Sequence, residues 1–180
     1  SLFEQFTKDY PGNEYSKYIK PEIDQIVQYH QIIENPFDET VHFVDGYENI
    51  TTLEEAIKPF KGKKVYIDIW ATWCGPCKEE FKYQKALKKI LDEQDIQPLY
   101  ISIDEDDRDQ QWKEAIKFYG LSGAHIRTGR PLFEELCERY DKNTPHVAIP
   151  WYILVDENGN VIREHAEAPS EIVVNGHSFQ

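Results

Sequence analysis

The stretch IDIWATWCGPCKEE, residues 67–80, contains two cysteines separated by a glycine and a proline. The residues before the cysteines, 64–71, are mostly β-branched and aromatic, which is typical of a buried central strand. From Gly75 onward the apolar residues have helical spacing, so we predict a helix of about 15 residues. The cysteines therefore lie where a strand ends and a helix begins. Three kinds of site remain to be compared: a metal site, a structural disulfide and a redox couple.

The rest of the sequence argues against the first two kinds of site. Structural zinc sites use four ligands, usually as two pairs, whereas the chain has one further cysteine, Cys137, and no second C-x-x-C or H-x-x-x-H motif. We therefore predict no metal and no cofactor. A structural disulfide between Cys74 and Cys77 would close a very small loop, and the stabilisation from a disulfide grows with loop length.

A redox couple fits the local pattern better. Pro76 would occupy the first helical turn, where its missing N–H is not needed. Cys74 would face the unpaired N–H groups at the start of the helix, which favours the thiolate. We therefore predict that Cys74 is the nucleophile. Cys77 would lie most of a turn further along and deeper, as the resolving thiol.

These residues resemble the active site of thioredoxins, which have WCGPC after a strand. The segment ATWCGPCKEEF, residues 71–81, is more specifically similar to the TlpA/ResA-like extracytoplasmic thiol–disulfide oxidoreductases, which often read W-x-x-W-C-x-P-C-x-x-E. The resemblance covers roughly residues 40–165. It implies an α/β thioredoxin-like fold, with a mixed central sheet and helices on both faces. It also implies an enzyme of the protein disulfide reductase type, periplasmic or otherwise extracytoplasmic, with a role in cell redox homeostasis.

Two carboxylates are candidates for the proton acceptor of Cys77, which must ionise before it attacks. Asp68 lies in the predicted strand and matches the buried aspartate of thioredoxins, so we expect burial to raise its pKa. Glu80 lies three residues after Cys77 on the same helix face and matches an acidic residue of TlpA/ResA-like proteins. Members of the ResA type often carry a neutral residue at the Asp68 position, so the choice stays open. If neither residue has a catalytic role, Asp68 would be a strand-edge aspartate in water and Glu80 would lie on a solvated helix surface.

The resemblance also implies a substrate-binding surface. Thioredoxin folds place a cis-proline at the start of the strand opposite the cysteines, and Ile149–Pro150 matches this position. The backbone of the residue before the proline would pair with a substrate peptide. Trp151 stands where the family usually has threonine, and we expect it to narrow the groove or change which peptides bind. The residues of the predicted surface are Trp73, Gly75, Pro76, Ile149 and Pro150.

We predict two parts of the chain, an N-terminal helical extension over residues 1–38 and a thioredoxin-like domain over residues 39–180. Helical periodicity over residues 14–33 predicts a helix that breaks or kinks at Pro21. A glycine-punctuated link is predicted between the helices that contain Trp112 and Cys137. The last helix, capped by Ser170, is predicted to be short or missing. The predicted strands of the domain are 41–46, 64–71, 96–104 and the two strands of a hairpin in WYILVDENGNVIRE, residues 151–164.

The composition limits the partners of the chain. The net charge of −13 argues against nucleic acid, because a phosphate backbone needs clustered lysine and arginine. The chain has no methionine, so we expect a fragment or a processed form, anchored to a membrane through a missing N-terminal segment. We expect a disulfide-containing protein as substrate and a membrane-bound electron donor.

Two other functions stay open at the level of sequence. One is a protein-binding module that keeps the fold and uses the cysteine pair only as a redox tether. The other is a thiol peroxidase, although the P-x-x-x-[TS]-x-x-C pattern of peroxiredoxins is not found in the sequence. Loss of Cys77 would trap a mixed disulfide in an oxidoreductase and would have no effect in a binding module.

Overall fold

The computed structural model describes residues 2–140 and 146–176, and the chain divides into two compact units, Ser1–Pro36 and Phe37–Gln180. The first unit contains two helices, α1 (Leu2–Asp9) and α2 (Ser16–Glu34), and neither of them contains a buried residue among those described. Of the break or kink predicted at Pro21, the break is wrong, because α2 continues through Pro21 as one helix. The missing N–H of a proline removes one intrahelical hydrogen bond, and the helix tolerates this loss.

The second unit is built on a six-stranded sheet with the strand order β1-β4-β3-β2-β5-β6. The first four strands are parallel to one another, whereas β5 is antiparallel to β2 and β6 is antiparallel to β5. The sheet is therefore mixed, as predicted. The strands are β1 (Val41–Phe43), β2 (Lys64–Trp70), β3 (Ile96–Ser102), β4 (Gly123–Arg127), β5 (Trp151–Val155) and β6 (Val161–Arg163).

The helices of this unit connect and cover the strands. They are α3 (Leu53–Ile57), α4 (Gly75–Glu80), α5 (Gln84–Glu93), α6 (Asp109–Tyr119), α7 (Arg130–Tyr140) and α8 (Pro169–Asn175). Shorter 3-10 turns occupy Tyr47–Asn49, Lys58–Phe60, Phe81–Tyr83 and Asp106–Arg108. The third of these turns separates α4 from α5, so the predicted single helix after the cysteines is interrupted.

Two hydrophobic clusters pack against the sheet. The larger cluster includes Ile67 and Ile69 of β2, whereas the smaller includes Tyr66 of the same strand. Adjacent side chains of a strand point to opposite faces, so the clusters cover both faces, as predicted. The smaller cluster joins β2, β3 and β5 to α5 and α8 through Tyr66, Leu87, Leu91, Ile96, Tyr152, Leu154 and Ile172.

The glycine-punctuated link predicted after α6 is wrong, because it contains β4. All five residues of β4 are buried, and the strand lies between β1 and β3. Two of the glycines in this segment, Gly120 and Gly123, have structural roles of their own. Gly120 ends α6 in a left-handed conformation, and a Cβ at Gly123 would lie 2.7 Å from the carbonyl oxygen of Pro98. These glycines permit a helix end and a close strand contact.

The last helix is short, as predicted, but Ser170 does not cap it. The N-cap is Ala168, and Pro169 takes the first helical position, which suits a residue without an N–H. The carboxylate of Glu171 accepts a hydrogen bond of 2.9 Å from the Ala168 N–H. Ser170 therefore lies inside the first turn. The end of the predicted C-terminal segment, residues 177–180, lies outside the described residues.

Candidate active site

Cys74 and Cys77 form a disulfide at the start of α4, with Cα atoms 5.4 Å apart. Cys74 is the N-cap residue of α4, and its Sγ accepts a hydrogen bond of 3.1 Å from the Cys77 N–H. Pro76 lies in the first turn of the helix, as predicted. Cys77 is fully buried and Cys74 is 4% exposed. Cys74 is therefore the sulfur nearer to solvent.

The residues around Cys74 form an exposed rim. Trp73 is 55% exposed, and both Gly75 and Pro76 are exposed. This rim follows directly from the position of the cysteines between the end of β2 and the start of α4. The residues on either side of Cys74 are therefore accessible to solvent.

The Ile149–Pro150 peptide bond is cis, as the resemblance implied. Strand β5 follows at once and pairs antiparallel with β2, with Ile69 opposite Trp151. This register puts Pro150 beside the end of β2, next to the loop that leads to Cys74. Ile149 and Pro150 are both partly exposed.

Trp151 lies in the core and not on the predicted substrate surface. Its side chain is buried, its indole N–H donates to the carbonyl oxygen of Glu164, and its ring contacts those of Tyr140 and His165. The expectation that Trp151 narrows a groove is therefore not supported. At the position where the family usually has threonine, the Trp151 side chain fills space below the surface.

Asp68 is buried in the middle of β2, with 1% of its surface exposed. It lies opposite Tyr100 of β3 and Tyr152 of β5, and residues in register point to the same face of a sheet. Neither carboxylate oxygen has a hydrogen-bond partner within the described parts of the chain. Burial raises the pKa of Asp68 to about 8, and the negative charge of Glu80 contributes. A strand-edge aspartate in water is thus excluded.

Glu80 is partly buried and hydrogen-bonded at both oxygens. Ser170 donates to Oε2 from its backbone N–H over 2.9 Å and to Oε1 from its hydroxyl over 3.0 Å. Glu80 is therefore not part of a solvated helix surface. Burial raises the pKa of Tyr152, and the charges of Asp68 and Glu80 raise it further. Asp68, Glu80 and Tyr152 are therefore electrostatic neighbours.

The sequence profile of the redoxin family matches residues 45–176. The chain belongs to the redoxin family. The thiol-disulfide oxidoreductase ResA of Bacillus thuringiensis subsp. konkukian is 31% identical over 108 residues, which cover 60% of this chain and 57% of that protein. ResA of Geobacillus kaustophilus is 30% identical over 111 residues, with the same coverage. The predicted resemblance to TlpA/ResA-like proteins is confirmed, and the chain spans 57% of the length of these two relatives.

A solved structure supports the predicted fold class. The thioredoxin domain of a thiol-disulfide oxidoreductase from Bacteroides vulgatus superposes with a TM-score of 0.55, at 22% identity. The match covers 67% of this chain and 81% of that domain. The chain therefore has a thioredoxin-like fold, and this redoxin carries its cysteine pair at the start of α4 in that fold.

A second buried carboxylate, missed at the level of sequence, fixes the loop before the cysteines in this redoxin. Asp104 follows β3 and is 1% exposed. It accepts hydrogen bonds from the Thr72 N–H (2.8 Å), the Thr72 hydroxyl (2.7 Å) and the Ser102 hydroxyl (2.8 Å). Asp104 is the last residue of the predicted strand 96–104 and the first of an acidic run, residues 104–107, so the sequence offered no separate signal for its role.

Cys137 is a buried free thiol of α7, and burial raises its pKa. Within residues 2–140 and 146–176, no three histidine, cysteine, aspartate or glutamate side chains form a group that could hold a metal ion. None of the helices in those ranges has the length and apolar character that crossing a membrane requires.

Proposed function

We propose that this redoxin is a thiol–disulfide oxidoreductase that reduces disulfides in other proteins. The observation that carries the proposal is the Cys74–Cys77 disulfide at the start of α4, next to an exposed rim and after the strand that contains the buried Asp68. The names of the relatives support the same class of reaction. A structural disulfide would require neither a buried carboxyl group in the preceding strand nor the cis bond before Pro150.

The first step joins the substrate to Cys74. The Cys77 N–H, 3.1 Å from the Cys74 sulfur, would stabilise a thiolate there. This thiolate attacks one sulfur of a substrate disulfide, and the other substrate sulfur leaves as a thiolate. The product is a mixed disulfide between Cys74 and the substrate. The exposed rim, together with the backbone of Ile149, would contact the substrate chain on either side of it.

The second step releases the substrate. The Cys77 thiol loses its proton, and the resulting thiolate attacks the Cys74 sulfur. The mixed disulfide breaks, the second substrate sulfur leaves as a thiolate, and the Cys74–Cys77 disulfide forms. Two electrons have then passed from the two cysteines to the substrate disulfide.

We propose that Asp68, and not Glu80, accepts the proton that Cys77 loses. A general base works best when its pKa lies near the operating pH, and the pKa of Asp68 is about 8. The oxygens of Asp68 have no partner among the residues that the structure describes, so they are available for the proton. Both oxygens of Glu80 already accept hydrogen bonds from Ser170. Glu80 then acts through its charge, which keeps Asp68 basic.

The cellular setting that we propose rests on the resemblance to TlpA/ResA-like proteins. The enzyme would act outside the cytoplasm, in the periplasm or a similar compartment, on disulfide-containing proteins. A membrane-bound donor would return two electrons to the Cys74–Cys77 disulfide after each cycle. The helical extension, residues 1–38, would precede the thioredoxin-like domain, residues 39–180, without contributing to the chemistry.

The proposal is tested by trapping the mixed disulfide. The reduced Cys77→Ser and Cys74→Ser variants are mixed with an oxidised protein that has one surface disulfide, and adducts are identified by mass spectrometry. We expect Cys77→Ser to form a stable one-to-one adduct through Cys74, because the resolving thiol is missing. Cys74→Ser is the matched control and should give at least tenfold less adduct. If Cys77→Ser formed no adduct, the pair would not be a reductant of this kind.

A further inference from the structure

The hydrogen bonds between Ser170 and Glu80 join the last helix to the helix that carries the cysteines. Glu80 lies at the end of α4, three residues after Cys77, and Ser170 lies in the first turn of α8. The two residues are 90 positions apart in the sequence. Both carboxylate oxygens are engaged, one by a backbone N–H and one by a hydroxyl group.

Helix α8 gives Ser170 a fixed place. The first N–H groups of a helix have no acceptor within it, so the Ser170 N–H is free to donate to Glu80 at no cost to the helix. Ile172, in the same turn, is buried with Leu87 and Leu91 of α5. The backbone that presents Ser170 is therefore anchored in the smaller hydrophobic cluster. A carboxylate held by two such donors has little freedom to rotate towards solvent.

We propose that Ser170 is a positioning residue that holds the Glu80 carboxylate beside Asp68, so that the charge of Glu80 acts on Asp68 from a fixed distance. The catalytic consequence rests on the proposed function, because it assumes that Asp68 accepts the proton of Cys77. The electrostatic consequence does not, because it concerns only the affinity of Asp68 for a proton. Ser170 would thus make α8 part of the proton-transfer machinery without touching the substrate.

The other titratable groups that the structure describes around Asp68 in the sheet are tyrosines and a histidine. Tyr100 from β3 and Tyr152 from β5 face Asp68, and Tyr66 lies on the same strand; the pKa of each is raised, with burial as the largest cause. All three are therefore neutral near pH 7. His125 from β4 stacks against Tyr100, and burial lowers its pKa to about 3, so it is neutral as well.

The charged groups of α8 and α4 complete this environment. Glu171 from α8 acts on Tyr152, and Glu79 of α4 pairs at the exposed surface with Lys82 of the following 3-10 turn. The negative charge that acts directly on Asp68 comes from Glu80. Moving that charge away should lower the pKa of Asp68, since the ionised form of Asp68 would meet less repulsion.

The test is a titration of the Asp68 carboxyl carbon by NMR, in the oxidised full chain. In Ser170→Ala we expect the Asp68 midpoint to fall by about half a pH unit, because Glu80 keeps one donor but gains freedom to move into solvent. Glu80→Gln should lower the midpoint further. Ser170→Thr keeps the hydroxyl group and should restore the midpoint to within about 0.2 units of the wild type.

Two controls separate positioning from a general weakening of α8. In the Glu80→Gln background, Ser170→Ala should cause no further shift, because its effect acts through Glu80. Glu171→Ala removes the other hydrogen bond at the start of α8 and should leave the Asp68 midpoint within about 0.2 units. The proposal is overturned if Ser170→Ala leaves the Asp68 midpoint unchanged. It is also overturned if Ser170→Ala shifts the midpoint equally in the Glu80→Gln background, or if Glu171→Ala shifts the midpoint as much as Ser170→Ala does.

A second measurement distinguishes failure of this inference from failure of the proposed function. The rate at which Cys77 resolves the mixed disulfide is followed against pH in the wild type and in Ser170→Ala. If the wild type resolves the mixed disulfide while the Asp68 midpoint is the same in both, the positioning role fails and the function stands. If the midpoint shifts as expected but the wild type performs no exchange, the function fails and the positioning of Glu80 stands.

Discussion

At the residue scale, the site is organised around two buried carboxyl groups in different surroundings. Asp104 has three hydrogen-bond donors, whereas the oxygens of Asp68 have none among the described residues. A buried carboxyl group without partners lowers the stability of the native state when it ionises. The burial of Asp68 could be predicted from its strand. The engagement of Glu80 by Ser170 could not, because a contact across 90 residues leaves no local pattern.

The raised pKa of Asp68 gives a prediction for the pH dependence of stability. Between pH 4 and pH 8 the unfolded chain releases a proton that native Asp68 keeps, because the pKa rises from 3.8 to about 8 on folding. The contribution of Asp68 to the free energy of unfolding is therefore full below pH 4 and is lost as the pH rises towards 8. Asn in place of Asp68 does not titrate and avoids this loss.

We expect the stability of Asp68→Asn relative to the wild type to increase by about 3 to 5 kcal/mol from pH 4.5 to pH 8.5, at about 1.4 kcal/mol per pKa unit. The measurement is urea unfolding of both oxidised proteins at the two pH values. Asp107→Asn, at an exposed position, is the control and should show no such increase. A stability difference that does not depend on pH would contradict the ionisation of Asp68 in this range.

At the scale of elements, the strands and helices with a strong periodic pattern were predicted, whereas short irregular elements were not. The buried strand β2 and the hairpin of β5 and β6 are confirmed, because their apolar residues run continuously up to clear turns. Strand β4 was missed because its first residue, Gly123, resembles a loop residue until its contact with Pro98 is known. The turn between α4 and α5 was missed because the apolar spacing continues across it.

The loop between β2 and α4 gives the prediction at this scale. Asp104→Ala removes the acceptor of three donors, two on Thr72 and one on Ser102, and a buried donor without a partner costs about 1–3 kcal/mol. We expect the free energy of unfolding of the oxidised protein to fall by about 3 kcal/mol. The measurement is urea unfolding monitored by tryptophan fluorescence and by circular dichroism.

Asp107→Ala is the matched control for this change, since Asp107 lies three residues further along the same acidic run and is exposed. It should alter the free energy of unfolding by no more than about 0.5 kcal/mol. A loss below about 1 kcal/mol in Asp104→Ala would show that Asp104 does not hold the loop before Cys74.

At the scale of the whole molecule, the fold followed from one motif and its surroundings. A strand, the WCGPC segment and a proline before the hairpin were enough to predict a mixed sheet with helices on both faces. The outer parts were harder to predict. Helix α1 was not predicted, because residues 1–38 offered only the helical periodicity of residues 14–33. The boundary between the two parts was predicted after residue 38, whereas the compact units divide between Pro36 and Phe37. The boundary of such a unit depends on contacts with residues that are distant in the sequence, and local sequence patterns do not show these contacts.

The central claim is that the Cys74–Cys77 pair is a reductant, and its midpoint potential tests this claim most directly. The oxidised protein is equilibrated in thiol buffers of graded potential, free thiols are trapped, and the reduced fraction of the pair is measured by mass spectrometry. Thioredoxin lies at about −270 mV and a strong oxidant at about −120 mV. We expect a value at or below about −250 mV. A value above about −180 mV would contradict a reductant and indicate disulfide formation or isomerisation.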